Sequence, residues 1–243
     1  MNSNLINKVF PNSKLDNNRL ILEDTVIPVE NSIPRFSPNQ SYSTGNFSRL
    51  RDKFSDLQFD SKNNTTDRLN TILQRTNWNK EFFKDKLILE CGCGAGPDTE
   101  ILLSLGAKVV AVDIAGLDIA RKNLGNHENL LLLQADITNL PFSKEIFDIV
   151  WCHRVLQHTP KPKDTLKHIL KFKKKEGYIF IHSYAKTLPQ LLSWKYFLRP
   201  LTKNMNDNFL YRLVEKITPP LFYFTCFLRK IPPEIIGKIL FKI

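Results

Sequence analysis

The chain has 243 residues, is 42% hydrophobic and carries a net charge of +11. That apolar content supports a packed core and argues against a disordered chain, and four cysteines without framework spacing point to a reducing compartment rather than a disulfide scaffold. The charge is uneven: residues 185–243 hold ten Lys or Arg against three Asp or Glu, so it describes the C-terminal stretch more than the centre. The N-terminus lacks the basic start and apolar core of a signal peptide. The longest apolar run, 221–228, is far short of the ~20 residues that span a bilayer. A cytoplasmic protein is expected.

Residues 1–84 read as an irregular leader with packing helices. Asn and Ser recur, and Pro11, Pro28, Pro34 and Pro38 interrupt any long element. Short edge strands are expected at 26–29 and 33–36. A helix is expected from about Phe47, and another over Asp67–Thr76, where Leu69, Ile72 and Leu73 share a face. Residues 85–184 then alternate. Strands are expected at 86–91, 108–113, 130–133, 147–152 and 177–182, with helices at 98–105, 117–123 and 162–172. Such alternation implies an α/β fold, a Rossmann-like, doubly wound and mainly parallel sheet. Residues 185–243 read as a basic, apolar helical extension, cut into short helices by Pro189, Pro200, Pro219, Pro220, Pro232 and Pro233.

The most informative stretch is Leu87-Ile88-Leu89-Glu90-Cys91-Gly92-Cys93-Gly94-Ala95-Gly96. A buried strand runs into a turn of alternating glycines, where the backbone can approach a ligand closely. It departs from G-x-G-x-x-G, because the third glycine position is Pro97 and an acid, Glu90, lies inside the motif. Carboxylates there repel a pyrophosphate and suit a cationic ligand. Asp113, ending the second strand, is placed to accept ribose hydroxyls, and Asp136, ending the third, to meet an adenine amino group. The bland alternative for Asp136 is a turn cap. Cys91-x-Cys93 has no second Cys/His pair at zinc spacing, so no metal is expected.

Glu90 to Gly96, Val112-Asp113, Gln134-Ala135-Asp136-Ile137 and Leu140-Pro141-Phe142 through Phe147-Asp148 resemble, in order and spacing, the motifs of class I S-adenosylmethionine-dependent methyltransferases. The resemblance implies that Glu90, Gly92, Cys93, Gly94, Gly96, Asp113, Ile114, Asp136, Ile137 and His153 contact S-adenosylmethionine. It also turns His153, Arg154, Gln157 and His158 toward the methyl acceptor. For a hydroxyl acceptor His158 is the candidate base, with His182 and Tyr184 as secondary candidates. Ile33-Pro34-Arg35-Phe36, Gln58-Phe59-Asp60-Ser61, residues 155–160 and residues 196–203 look like a bacterial subfamily found among surface-polysaccharide and glycan biosynthesis genes. That subfamily often has a cysteine-bearing leader, which this sequence lacks. It also continues past the basic tail into closing strands, so five strands without a terminal hairpin are expected here.

A small-molecule or glycan-type acceptor is therefore expected. The tail reads first as a lid over the acceptor, second as a peripheral contact with an anionic membrane surface, and last as a nucleic-acid contact. Two functional alternatives stand beside the methyltransferase. One is a methyltransferase-like protein that binds the cofactor without catalysis; the less favoured is an NAD-dependent oxidoreductase.

Overall fold

The computed structural model describes residues 3–23, 25–37, 55–184 and 194–229. The chain divides into two compact units, Met1–Tyr184 and Ala185–Ile243.

The first unit opens with α1 (Ser3–Val9) and an antiparallel meander of β1 (Lys14–Asp16), β2 (Arg19–Leu22), β3 (Thr25–Glu30) and β4 (Ile33–Pro34). The stretch expected to be irregular is thus ordered, and the edge strands expected at 26–29 and 33–36 fall on β3 and β4. The residues that read as breakers form the turns: Asn17 and Asn31 take φ of 47° and 52° between the strands, a conformation that asparagine tolerates better than most residues. Leu5, Ile6, Val9 and Phe10 of the opening helix are buried, and Phe10 packs 5.5 Å from both Phe36 and Phe142. The helix expected from Phe47 falls outside the described residues.

Two helices follow, α2 (Asp60–Asn63) and α3 (Asp67–Thr76), the latter with the bounds expected from its apolar face. The main sheet then forms from β5 (Leu87–Cys91), β6 (Lys108–Asp113), β7 (Leu130–Gln134), β8 (Phe147–His153) and β9 (Lys173–His182), in the order β7-β6-β5-β8-β9, all parallel. The connecting helices are α4 (Pro97–Ser104), α5 (Leu117–Leu124) and α6 (Pro162–Leu170). This is the doubly wound, Rossmann-like architecture.

Alternation along the strands divides the core. Leu87, Leu89 and Cys91 face one apolar layer, shared with α1, the meander and Ile169 of α6. Ile88 faces the other, with Ile72 of α3, Leu102 of α4 and Leu117 of α5. Both faces of the sheet are covered, which is why the strands read as continuous apolar runs. Strand β5 ends at Cys91, and the turn that follows carries Cys93 into the opposite layer. Strand β9 begins four residues before the expected start, with a register irregularity opposite Phe147 and Ile149.

The order reverses beside β5. The chain builds outward through β6 and β7, then returns to place β8 on the other side. Ligands bind at such a switch point, outside the carboxyl ends of the strands.

The second unit contributes α7 (Trp194–Thr202) and α8 (Asp207–Arg229). The expected cuts do not occur at Pro200, Pro219 or Pro220, which lie inside these helices. Proline holds φ near the helical value, so a helix can run through it at the loss of a hydrogen bond. Pro189, Pro232 and Pro233 lie outside the described residues. Among those described, no helix is long and apolar enough to cross a membrane.

Candidate functional site

The turn after β5 is built by steric demand. Gly92, Gly94 and Gly96 have φ of 81°, 60° and 95°. A Cβ on Gly92 would lie 2.3 Å from Val155 Cγ2, and one on Gly96 would lie 2.6 Å from Leu124 Cδ1. The glycines therefore let the turn press against its own protein neighbours as well as against a ligand. Gly92 and Cys93 donate their amides to Val112 O at 2.7 and 3.1 Å, and the buried Cys93 side chain lies inside the turn.

Asp113 fixes this turn from β6. Its carboxylate accepts the Gly94 N–H at 2.8 Å and the Ala115 N–H at 3.1 Å, and the residue is only 6% exposed. The sequence assigns it to a ligand; the structure adds a positioning role. Asp136 accepts both the amide and the hydroxyl of Thr138 at 2.8 Å, the turn-cap geometry named as its bland alternative. Ile137 is buried and Ile114 half-buried at the ends of the same strands.

Glu90 shares the Ile88 side of β5, beneath α4, where it accepts the Thr99 hydroxyl at 2.6 Å. Burial, and then the negative charge of Asp98, push its carboxyl up to about 8. Asp98, in the first turn of α4, is the hub that sequence reasoning missed. It accepts Arg68 Nε at 2.5 Å, Trp151 Nε1 at 2.9 Å and His153 Nδ1 at 2.7 Å. Burial opposes its ionisation, but the His153 hydrogen bond and the Arg68 charge outweigh it and hold the carboxyl down at about 2.

His153 is engaged on both ring nitrogens, since Arg75 lies 2.7 Å from its Nε2. A guanidinium only donates, so Nε2 accepts and the ring proton sits on Nδ1, facing Asp98. Its ring is thus committed to a chain running Arg68–Asp98–His153–Arg75. His158 ends the 3-10 turn Leu156–His158 and meets Tyr184 edge-on at 6.4 Å between ring centres. The structure thus brings Glu90, Asp113, His153 and the glycine turn to the carboxyl ends of β5, β6 and β8, and keeps His158 one turn beyond β8.

Arg35 locks the leader to the site. It donates to Gln134 Oε1 and to Asp118 Oδ1, both at 2.7 Å, and bridges beside β7 at Gln134. The Ile-Pro-Arg-Phe segment therefore covers the sheet edge at its carboxyl end.

Burial and the Asp98 charge hold the Glu90 carboxyl up, so a cation brought beside it would favour its ionised form. This has a consequence for stability. Between pH ~4.5, where the unfolded chain ionises, and about 8, where the folded one does, stability falls as pH rises. Glu90→Gln removes that loss. It is expected to raise Tm at pH 8 by at least ~2 °C, the response of a domain this size to roughly 1 kcal/mol, with little change at pH 4. Equal differences at the two pH values, in thermal unfolding, contradict the assignment.

Residues 89–181 match the family model of a methyltransferase domain. The chain is also similar to a ubiquinone biosynthesis O-methyltransferase of Glaesserella parasuis serovar 5, with 32% identity over 136 residues, covering 50% of this chain and 57% of that protein. A demethylmenaquinone methyltransferase of Clavibacter sepedonicus is 29% identical over 138 residues, covering 52% and 56% respectively. The chain thus spans about half the length of the curated relatives it matches. Among solved structures, a methyltransferase of Methanococcus maripaludis described as S-adenosyl-L-methionine-dependent aligns with 16% identity and a TM-score of 0.49, covering 74% of this chain and 84% of that one. The family match falls on the same strands, turn and acids that carry the sequence resemblance.

Proposed function

We propose that the protein is an S-adenosylmethionine-dependent methyltransferase acting on a small-molecule acceptor. The observation that carries this reading is the methyltransferase-domain match, which opens on the glycine turn and takes in its buried acids. Pro97 and Asp98 in place of a third glycine and a bare helix N-terminus disfavour a dinucleotide.

When bound, S-adenosylmethionine supplies a methyl group on a positively charged sulfur. Glu90 would lie toward its cationic methionine end, where a positive charge favours the ionised carboxylate, and Gly92–Gly96 would let the backbone come close. Asp113 and Asp136 take the ribose and adenine ends. Most of the rate for such an in-line displacement comes from holding the acceptor at attack distance. For a hydroxyl acceptor, His158 takes the proton.

The acceptor is proposed to be glycan-type, on the subfamily resemblance; the relatives named for ubiquinone and menaquinone support a small molecule more broadly. Leu213, Ile217, Leu221, Phe222, Phe224 and Phe227 of α8 are exposed, beside a basic composition. Such a helix favours contact with an anionic lipid surface, in keeping with a lipid-carried acceptor. Tritiated methyl transfer from S-adenosylmethionine, with a bacterial extract as acceptor source, tests the reading. Label is expected in a small-molecule fraction, and its partition between organic and aqueous phases separates lipid-carried from free acceptors. Label only in protein or RNA contradicts the proposal. Cofactor binding without label in any fraction favours the non-catalytic alternative.

A further inference from the structure

A cavity of about 430 Å³ runs along one face of α3, bordered by Arg68, Thr71 and Arg75, and reaches His153 and Arg154 at the end of β8. That volume suits part of a small molecule. Its two ends differ in charge. Asp60 and Asp67 border it at the start of α3, and Asp60 is occupied there, accepting Thr65 Oγ1, Arg68 N and Leu69 N. Arg75 lies at the other end, roughly 12 Å along the helix at 1.5 Å per residue.

The basic end holds more positive charge than its surroundings neutralise. Arg68 is paired with Asp98, but neither Arg75 nor Arg154 has a carboxylate partner among the described residues. Arg154 is exposed and held at φ 60°, with its amide bonded to His182 O at 2.7 Å. A left-handed backbone is uncommon for a long side chain and tends to mark a functional position. His182 adjoins both arginines. Its Nδ1 is buried without a hydrogen-bond partner, and burial, then the charges of Arg75, His153 and Arg154, lower its basicity.

We propose that this end of the cavity is a subsite for an anionic group, phosphate or carboxylate, on the methyl acceptor, held by Arg75 and Arg154. The inference rests on the methyltransferase reading and names the substrate class within it. A cofactor carboxylate would compete for the same arginines, so protein already saturated with S-adenosylhomocysteine distinguishes the two occupants.

The test uses the full chain saturated with S-adenosylhomocysteine, titrated with inorganic phosphate and, separately, with acetate. Histidine ring signals are followed by NMR, because His182 adjoins the subsite. Saturable shifts are expected with at least one anion, weakening as salt is raised. Arg154→Asn, which keeps a residue tolerant of positive φ, is expected to weaken that anion at least tenfold and to leave S-adenosylhomocysteine affinity within twofold. Arg75→Gln is expected to weaken it as well. Tighter binding of phosphate or of acetate names the group on the acceptor. No saturable shift, or equal binding by wild type and Arg154→Asn, overturns the subsite while the cofactor reading stands. Parallel loss of S-adenosylhomocysteine in Arg154→Asn assigns the arginine to the cofactor and also overturns it. Failure of wild type to bind S-adenosylhomocysteine, seen before any anion is added, removes the underlying reading.

Discussion

Asp98→Ala is expected to destabilise the protein by about 3–5 kcal/mol, because it strips the partner from a largely buried guanidinium and from two further donors. Arg68 Nε, Trp151 Nε1 and His153 Nδ1 all converge on this one carboxylate within 2.9 Å. Trp151 is fully buried and stacked 3.9 Å from Phe180, so the lost contacts lie in the core rather than on the surface. At ~2–4 °C per kcal/mol for a chain of this size, Tm falls by roughly 10 °C. The pH dependence has a definite sign. Asp98 is held down at about 2, below its ordinary value near 4, so its contribution is complete above ~4 and is lost as pH falls through about 2. Thermal or urea unfolding should therefore show a large difference from wild type at pH 7 that narrows on acidification. A Tm unchanged at pH 7 contradicts the hub role.

The second large effect is on binding. Asp113→Ala removes the acceptor for the Gly94 and Ala115 amides and, on the proposed reading, the ribose contact as well. Hydrogen bonds to a charged group contribute about 1.5–3 kcal/mol each, so S-adenosylmethionine affinity should drop ~100-fold or more. Asp113→Asn keeps one carbonyl oxygen and should lose less. If alanine and asparagine behave alike and both bind as wild type does, Asp113 holds neither the turn nor the ribose.

Much of the fold is legible in the sequence because two signals agree. Leu87–Leu89, Val109–Val112 and Leu130–Leu133 are uninterrupted apolar runs, as strands buried on both faces must be, and each is followed closely by an acid. The bounds of β6 and α3 are met residue for residue. The leader is legible only in part: the strands expected at 26–29 and 33–36 fall on β3 and β4, but α1, β1 and β2 are missed, since Asn17 gives the same signal whether it punctuates a disordered stretch or turns a meander. Only the long-range packing of Leu20, Ile27 and Ile33 into the two apolar layers distinguishes these cases. Pro219 and Pro220 mislead in the opposite sense, because α8 runs through them.

The site divides along similar lines. The glycine turn, Glu90 and Asp113 are readable, as their roles depend on neighbours close in sequence or on strand ends. The Asp98 hub is not. Its partners come from α3 and β8, 30 and 55 positions away for Arg68 and His153, and local spacing carries no trace of that convergence. One clue is present: Arg68 and Arg75 lie seven residues apart and so share a face of α3.

The central claim is that the carboxyl end of β5 binds S-adenosylmethionine. Isothermal titration of the full chain tests it directly. Wild type is expected to bind S-adenosylmethionine at one site per chain, to give no heat with NAD, and to lose most of its affinity in Asp113→Ala. Binding of NAD in its place, or S-adenosylmethionine binding that Asp113→Ala leaves unchanged, would contradict it.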